Sequence, residues 1–303
     1  MLSVQANRAR VLCEKAAERY NDGFGNAAAD RIFSHWCKFY GNNPDEDPCS
    51  IALVEPDIYN RLESKTSVLK LLQKHAVENV FPPGYTSVKA ALSHPEPVDI
   101  WFSKPGHLSG GREIRVISRK ALPSYALPRF HMLQAGIEDL ALMESRKFTA
   151  RIYVLLWNRQ VFLFDDGFIL IHGPVYIQGS TDYSVQIDHR GYDRDDGPVK
   201  MGLCSDCLLT ASLVAAARKP LVRLLPIFGE ILAATSMLRY LILGIDLLQK
   251  ADGTPVFIEI NAIPNFVHSR RVNERLNIPM LEHVMRVTTG CYSHRFQRIT
   301  DGR

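Results

Sequence analysis

Long runs of any one kind are missing from this 303-residue chain. No segment of about 18 apolar residues is free of a charge or break, so no simple membrane-spanning helix is expected. The most apolar stretch, 208–248, is interrupted by Arg218, Lys219, Pro220, Arg223, Glu230 and Arg239, and reads instead as core helix leading into a hairpin. The start, with Asn7, Arg8 and Arg10 and no apolar core behind them, does not read as a secretory signal. Six cysteines at irregular spacing give no disulfide framework, which leads to the expectation of a reducing, cytoplasmic setting. Cys204 and Cys207 form a lone C-x-x-C with no second pair, so a helix start is favoured there over metal or redox chemistry. A net charge of +4 with acids and bases interspersed makes no case for nucleic acid. Neither the P-loop signature nor the dinucleotide fingerprint occurs, and there is no internal repeat. What remains is a 46% hydrophobic chain, long enough for a sizeable core in two or three units.

The most informative feature lies near the C-terminus. Residues 244–248 and 255–261 read as the two strands of a hairpin with its turn at Asp252 and Gly253. A two-residue loop there sets Asp246 directly opposite Glu259, and Asn261 follows on the same face. Two carboxylates held ~5 Å apart repel, so a cation between them is expected. Oxygen ligands of this kind suit Mg²⁺, which binds through a few carboxylates plus substrate phosphates. The plain alternative is a surface hairpin with solvated acids. Ile245, Leu247, Leu248, Val256, Phe257, Ile258 and Ile260 argue against it, because strands this apolar are buried on both faces.

Two further segments point towards phosphate. The strand Val98 to Ser103 runs into Lys104, then Gly106, Gly110 and Gly111, and returns in Glu113 to Ser118; glycines let backbone N–H groups approach oxygens while the ammonium supplies charge. Lys147, Thr149 and Arg151 share one face of a strand over 146–156, followed by a turn and a second strand at Gln160 to Asp165. Arg suits phosphate or carboxylate through its bidentate fork, although an exposed polar face is the ordinary alternative. Elsewhere, Met1 to about Tyr40 is helical in pattern, with a Gly-Phe-Gly break, Gly41 to Pro48 is a polar loop, Ser50 to Glu55 a short strand, and Ile58 to His75 a helix or helix pair. Asp165 and Asp166 read as turn acids.

Taken in order, these residues resemble the ATP-grasp ligases, and among them the tubulin-tyrosine ligase-like branch. Lys65 to Leu72 looks like that branch's first lysine helix, Trp101 to Gly111 like its lysine and glycine loop, Gln134 like the start of its adenine hinge, Lys147 to Arg151 like its cationic strand, and Asp246 with Glu259, Asn261 and Pro264 like its metal pair. The resemblance runs from about residue 60 to 270. It implies fold class α/β (α+β), an ATP-grasp fold with ATP held between a central lysine and glycine-loop subdomain (61–145) and a C-terminal antiparallel-sheet subdomain (146–303), after a mostly helical N-terminal region (1–60). It further implies that Lys65, Lys104, Gly106, Gly110, Gly111, Gln134 and Lys147 hold ATP, that Asp246, Glu259 and Asn261 bind Mg²⁺, and that Arg151, with Lys147, serves catalysis. The implied activity joins a carboxylate to an amine through an acyl phosphate, with ADP released.

The chain departs from that pattern at Thr149, where Asp is usual, at Ala135, where a hinge lysine is common, and at Leu170, where an arginine meets substrate. These changes, and the lack of a basic extension for an acidic protein tail, favour small amino acids, peptides or metabolites as substrates. The alternatives are a protein-modifying ligase of the same branch and a non-catalytic nucleotide-binding module. Arg270, Arg271 and Arg275 are candidates for a substrate carboxylate, against a solvated helix face, and His189 for a substrate-side role.

Overall fold

Strands rich in Ile, Leu, Val and aromatic residues fill the C-terminal half of the chain, and in the computed structural model they form the middle of a nine-stranded sheet. The structure describes residues 1–24, 31–38, 47, 50–77, 79–108, 110–187, 190–192, 197–266 and 268–300. Along it run β1 (Leu2–Ala6), β2 (Arg31–His35) and β3 (Ile51–Leu53), then β4 (Gly84–Tyr85), β5 (Ile100–Pro105), β6 (Arg115–Ser118) and β7 (His131–Ala135). They are followed by β8 (Arg146–Trp157), β9 (Gln160–Val175), β10 (Lys200–Leu203), β11 (Arg239–Gln249), β12 (Pro255–Asn261) and β13 (Phe296–Ile299). The large sheet runs β1, β2, β3, β11, β8, β9, β10, with β12 on β11 and β13 on β9; β4, β7, β5 and β6 make a separate antiparallel sheet.

Both faces of the large sheet are covered, which explains why its strands read as nearly unbroken apolar runs. Ile152, Val154 and Leu156 of β8 pack in one cluster with Leu221, Leu224, Phe228 and Ile231 of the helix Leu213–Ala233. Tyr153 and Leu155, one residue out of phase, join the opposite cluster with Cys13, Ala16 and Tyr20 of the helix Arg10–Phe24 and Leu281 and Val284 of the helix Ile278–Thr288.

The architecture is mixed α/β, and two expectations are corrected in detail. Among the described residues of 1–40 the expected helical pattern is confined to Arg10–Phe24, because β1 and β2 pair in parallel, Leu2 opposite Arg31, and no local pattern announces a five-residue strand whose partner lies so far along the chain. The strands of 146–303 pair antiparallel with one another, as expected, but the sheet does not stop there: β1, β2 and β3 extend it in parallel from β11 and make the whole mixed. Most of the expected loop 41–48 and all of His189 lie outside the described residues. Ile58 to His75 is a helix pair, Pro56–Glu63 and Lys65–Lys74, split at Ser64, whose hydroxyl accepts from the Ser67 N–H as an N-cap.

Gly167 lets β9 close onto β8 behind Arg151. A Cβ built there meets the Arg151 carbonyl oxygen at 2.3 Å, a backbone atom that cannot swing aside. Gly167→Ala should therefore lower stability by about 2–4 kcal/mol in urea unfolding. An unchanged midpoint would show that the two strands can separate at no cost.

Candidate functional site

Asp246 does stand opposite Glu259, and Gly244 opposite Asn261. The loop is not the two-residue turn expected, however. The Lys250 N–H reaches the Thr254 carbonyl at 2.9 Å and the Gly253 N–H reaches the Lys250 carbonyl at 2.9 Å, enclosing three residues, with Gly253 at φ +85°. That is the three-residue hairpin loop with glycine in the left-handed position. It sets the pairing near the turn one residue off, Leu247 opposite Phe257, and a bulge at Ile258 then restores the acidic pair. The bulge also puts Ile258 and Glu259 on one cavity wall while Phe257 is fully buried in the core.

Each carboxylate has its own protein cation, so charge repulsion alone does not call for a metal. Arg151 grips Asp246 through Nε to Oδ1 at 2.6 Å and Nη2 to Oδ2 at 2.8 Å. Lys65 Nζ lies 2.8 Å from Glu259 Oε1 and donates to the Leu108 carbonyl at 2.7 Å. Burial would lower the Arg151 guanidinium, but the charge and hydrogen bonds of Asp246 carry it above its ordinary value. Among the described residues no three His, Cys, Asp or Glu side chains cluster as a ready-made metal centre. The donor set nonetheless fits a hard cation. The Asn261 NH₂ donates to Asp246 Oδ2 at 3.0 Å and to the Gly244 carbonyl at 3.3 Å, which leaves its amide oxygen as a ligand beside two carboxylates.

The principal cavity holds about 960 Å³ of empty space, counting the part open to solvent. Its walls bring together Lys104 and Gln134 from the small sheet with Lys147, Thr149, Arg151, Asp246 and Glu259 from the large one, among Ile100, Phe102, Ala135, Leu170 and Leu248. Lys104 donates to Gln134 Oε1 at 2.5 Å, and Lys147 donates to the Gln186 carbonyl at 2.9 Å. Both ammonium groups lie over the Phe102 ring, 5.9 and 5.5 Å from its centre. Burial pushes the Lys104 pKa down to about 8 even though Glu259 is near, and burial together with the Lys104 charge pushes Lys147 down to about 7.

Other expected site residues stand apart from this wall. Lys65 lines a smaller adjoining cavity that shares Lys104, Gln134 and Glu259 with the first. Gly111, at φ +72°, lines the main cavity, whereas Gly110 lines a third. Gly106 is turned to structure: its N–H donates to the Phe130 carbonyl and its carbonyl accepts from the Lys65 N–H. Arg270 pairs with Glu274, and Arg271 and Arg275 both pair with Asp206 on the surface, the solvated arrangement. Cys204 opens a 3-10 turn, Cys204–Asp206, and burial pushes its thiol well up, which makes it a poor thiolate.

Three residues went unnoticed in the sequence. Glu63 accepts from the Ala262 and Ile263 N–H groups at 2.7 and 3.3 Å, and burial raises its pKa against those donors. With Arg8 and His268 it lines the third cavity, of about 620 Å³, which adjoins the first through Arg151, Phe168 and Leu170. Glu63 reaches its partners across 199 residues, a relation that no local pattern carries. No family model matches this chain, and no curated protein matches it.

Proposed function

We propose that the protein is an ATP-dependent carboxylate–amine ligase with an ATP-grasp fold, acting on amino acids, small peptides or metabolites. The observation that carries this reading is the principal cavity, where two buried lysines approach from different sheets and an acidic, oxygen-rich hairpin lies on the same wall. Ammonium groups held at a cost in an apolar wall suit a polyanion, and the apolar remainder suits a base. Lys104 and Lys147 would neutralise phosphate oxygens, with Gln134 beside the adenine. Asp246, Glu259 and Asn261 would hold Mg²⁺, which when bound supplies charge neutralisation at the phosphates.

In the reaction, a substrate carboxylate oxygen attacks the γ-phosphorus, the bond to the β-phosphate oxygen breaks, and ADP leaves. The amine nitrogen of the second substrate then attacks the acyl carbon, the carbon–oxygen bond to phosphate breaks, and the nitrogen releases a proton. No side chain acts as nucleophile. Arg151, on the wall between the two large cavities, steadies the charge that develops at the acyl centre, and the cleft aligns the reactants.

The test is ADP release from Mg·ATP with pairs of the common amino acids, read by mass spectrometry. ADP, phosphate and a condensed dipeptide are expected; AMP and pyrophosphate would overturn the acyl-phosphate route. Glu259→Gln should lower turnover by about 10²–10³-fold. Its fold should hold, since the glutamine oxygen can still accept from Lys65. Normal activity in that variant would remove Glu259 from the site.

A further inference from the structure

The third cavity contains a histidine whose protonation is dictated by a chain of amides. Asn273 donates its NH₂ to the backbone carbonyl of His268 at 3.0 Å, so its side-chain oxygen faces the other way. That oxygen accepts from the Asn277 NH₂ at 2.7 Å, while Asn277 Oδ1 accepts from the Tyr153 hydroxyl at 3.1 Å. The orientation of Asn277 is thereby set, and the same NH₂ lies 2.8 Å from His268 Nδ1. A donor facing Nδ1 makes that nitrogen the acceptor, so the ring's single proton sits on Nε2. The backbone carbonyl of His268 thus decides, through two asparagines, which nitrogen of its own ring carries hydrogen. Asn277 is fully buried, and the His268 ring stands edge to face on Phe168 at 4.5 Å, so neither group is free to turn. Burial and the Arg151 charge push the His268 pKa down to about 3, which keeps the ring neutral at physiological pH.

His268 lines the cavity with Arg8, Arg151, Glu63 and Asn261, and no described residue accepts from its Nε2. We propose that His268 is a specificity-determining residue of the third cavity, its fixed Nε2–H donating to a carboxylate or carbonyl oxygen of the second substrate. This deepens the ligase reading and rests on it. Two exclusions follow from the chemistry. His268 is not the base that takes the amine proton, because its only lone pair is turned to Asn277, and an ammonium group does not face it. The second substrate therefore presents an oxygen on the His268 side of the cavity, as an amino acid does through its carboxylate and a peptide through its carbonyl.

The test joins two measurements. In the ¹⁵N-labelled protein, two-bond imidazole correlations should show an unprotonated Nδ1 and a protonated Nε2 at neutral pH, with the signals assigned by their loss in His268→Phe. With the amino-acid pair that gives most ADP, His268→Phe should raise KM for the second substrate about 10- to 100-fold while KM for ATP stays unchanged. His268→Gln, which keeps an N–H near the Nε2 position, should restore most of that loss. A protonated Nδ1, an imidazolium, or equal impairment in both variants would overturn the assignment, and so would wild-type KM in His268→Phe. If the wild-type chain releases no ADP with any pair, the amino-acid form of the ligase reading falls and takes this substrate role with it. An active wild type with indifferent variants rejects the histidine alone.

Discussion

Arg151→Met should lose about 3–5 kcal/mol of stability and at least about 10³-fold in turnover. The guanidinium holds both oxygens of Asp246, and the pair lies mostly out of water. Without it, Asp246 keeps, among the described residues, only the Asn261 NH₂ as a donor and faces Glu259 across the strand pair. A buried carboxylate stripped of its cation costs far more than the pair itself contributes. Arg151/Asp246→Met/Leu should for that reason regain most of the stability while remaining inactive. Urea midpoints and ADP release on the two single variants and the double variant separate the terms. A double variant no more stable than Arg151→Met would show that the loss comes from packing rather than from an orphaned charge.

Lys147→Met should do the opposite to stability, raising it by on the order of 2–4 kcal/mol at pH 7, and should abolish nucleotide binding. The Lys147 pKa is about 7 in the folded protein against 10.5 ordinarily, so between those values the unfolded chain binds a proton that the folded one does not. The penalty of holding this lysine is thus full below about pH 7 and fades as pH rises towards 10.5. The gain in Lys147→Met follows the same course, large at pH 6 to 7 and small near pH 10. Unfolding curves across that range, with equilibrium dialysis of labelled ATP, check both halves. A destabilised Lys147→Met would mean that the bonds to Gln186 outweigh burial, and would remove the argument that the group is kept for a ligand.

The acidic hairpin was legible for a reason that is only half right. Period-two alternation and a glycine turn put Asp246 opposite Glu259, yet the loop has three residues and the strand carries a bulge, and the two single-residue offsets cancel at the site. Side-chain direction on β8 was legible too, because Lys147, Thr149 and Arg151 alternate with buried apolar residues. What could not be read was everything set by distant pairing. β1 and β2 look helical by composition and become strands only because β3 and β11 offer an edge. Glu63 and His268 carry no local signal, since their partners or cavity come from segments far along the chain. The charge argument was met in another way: it required a cation beside the two carboxylates, and the protein supplies Arg151 and Lys65 itself.

The two lysines over Phe102 have a consequence for the energetics of the cleft as a vessel for protons. With pKa values of about 8 and 7, they are partly uncharged near neutral pH. A polyphosphate that bound between them, as proposed, would restore their affinity for hydrogen ions, so association would draw hydrogen ions from the solution. The heat of binding would then contain the ionisation heat of whichever buffer gave them up, and the affinity should climb as the medium is made more acidic from pH 8 towards pH 7. Such a ligand would arrive, in effect, with part of its counter-charge collected from the surrounding water.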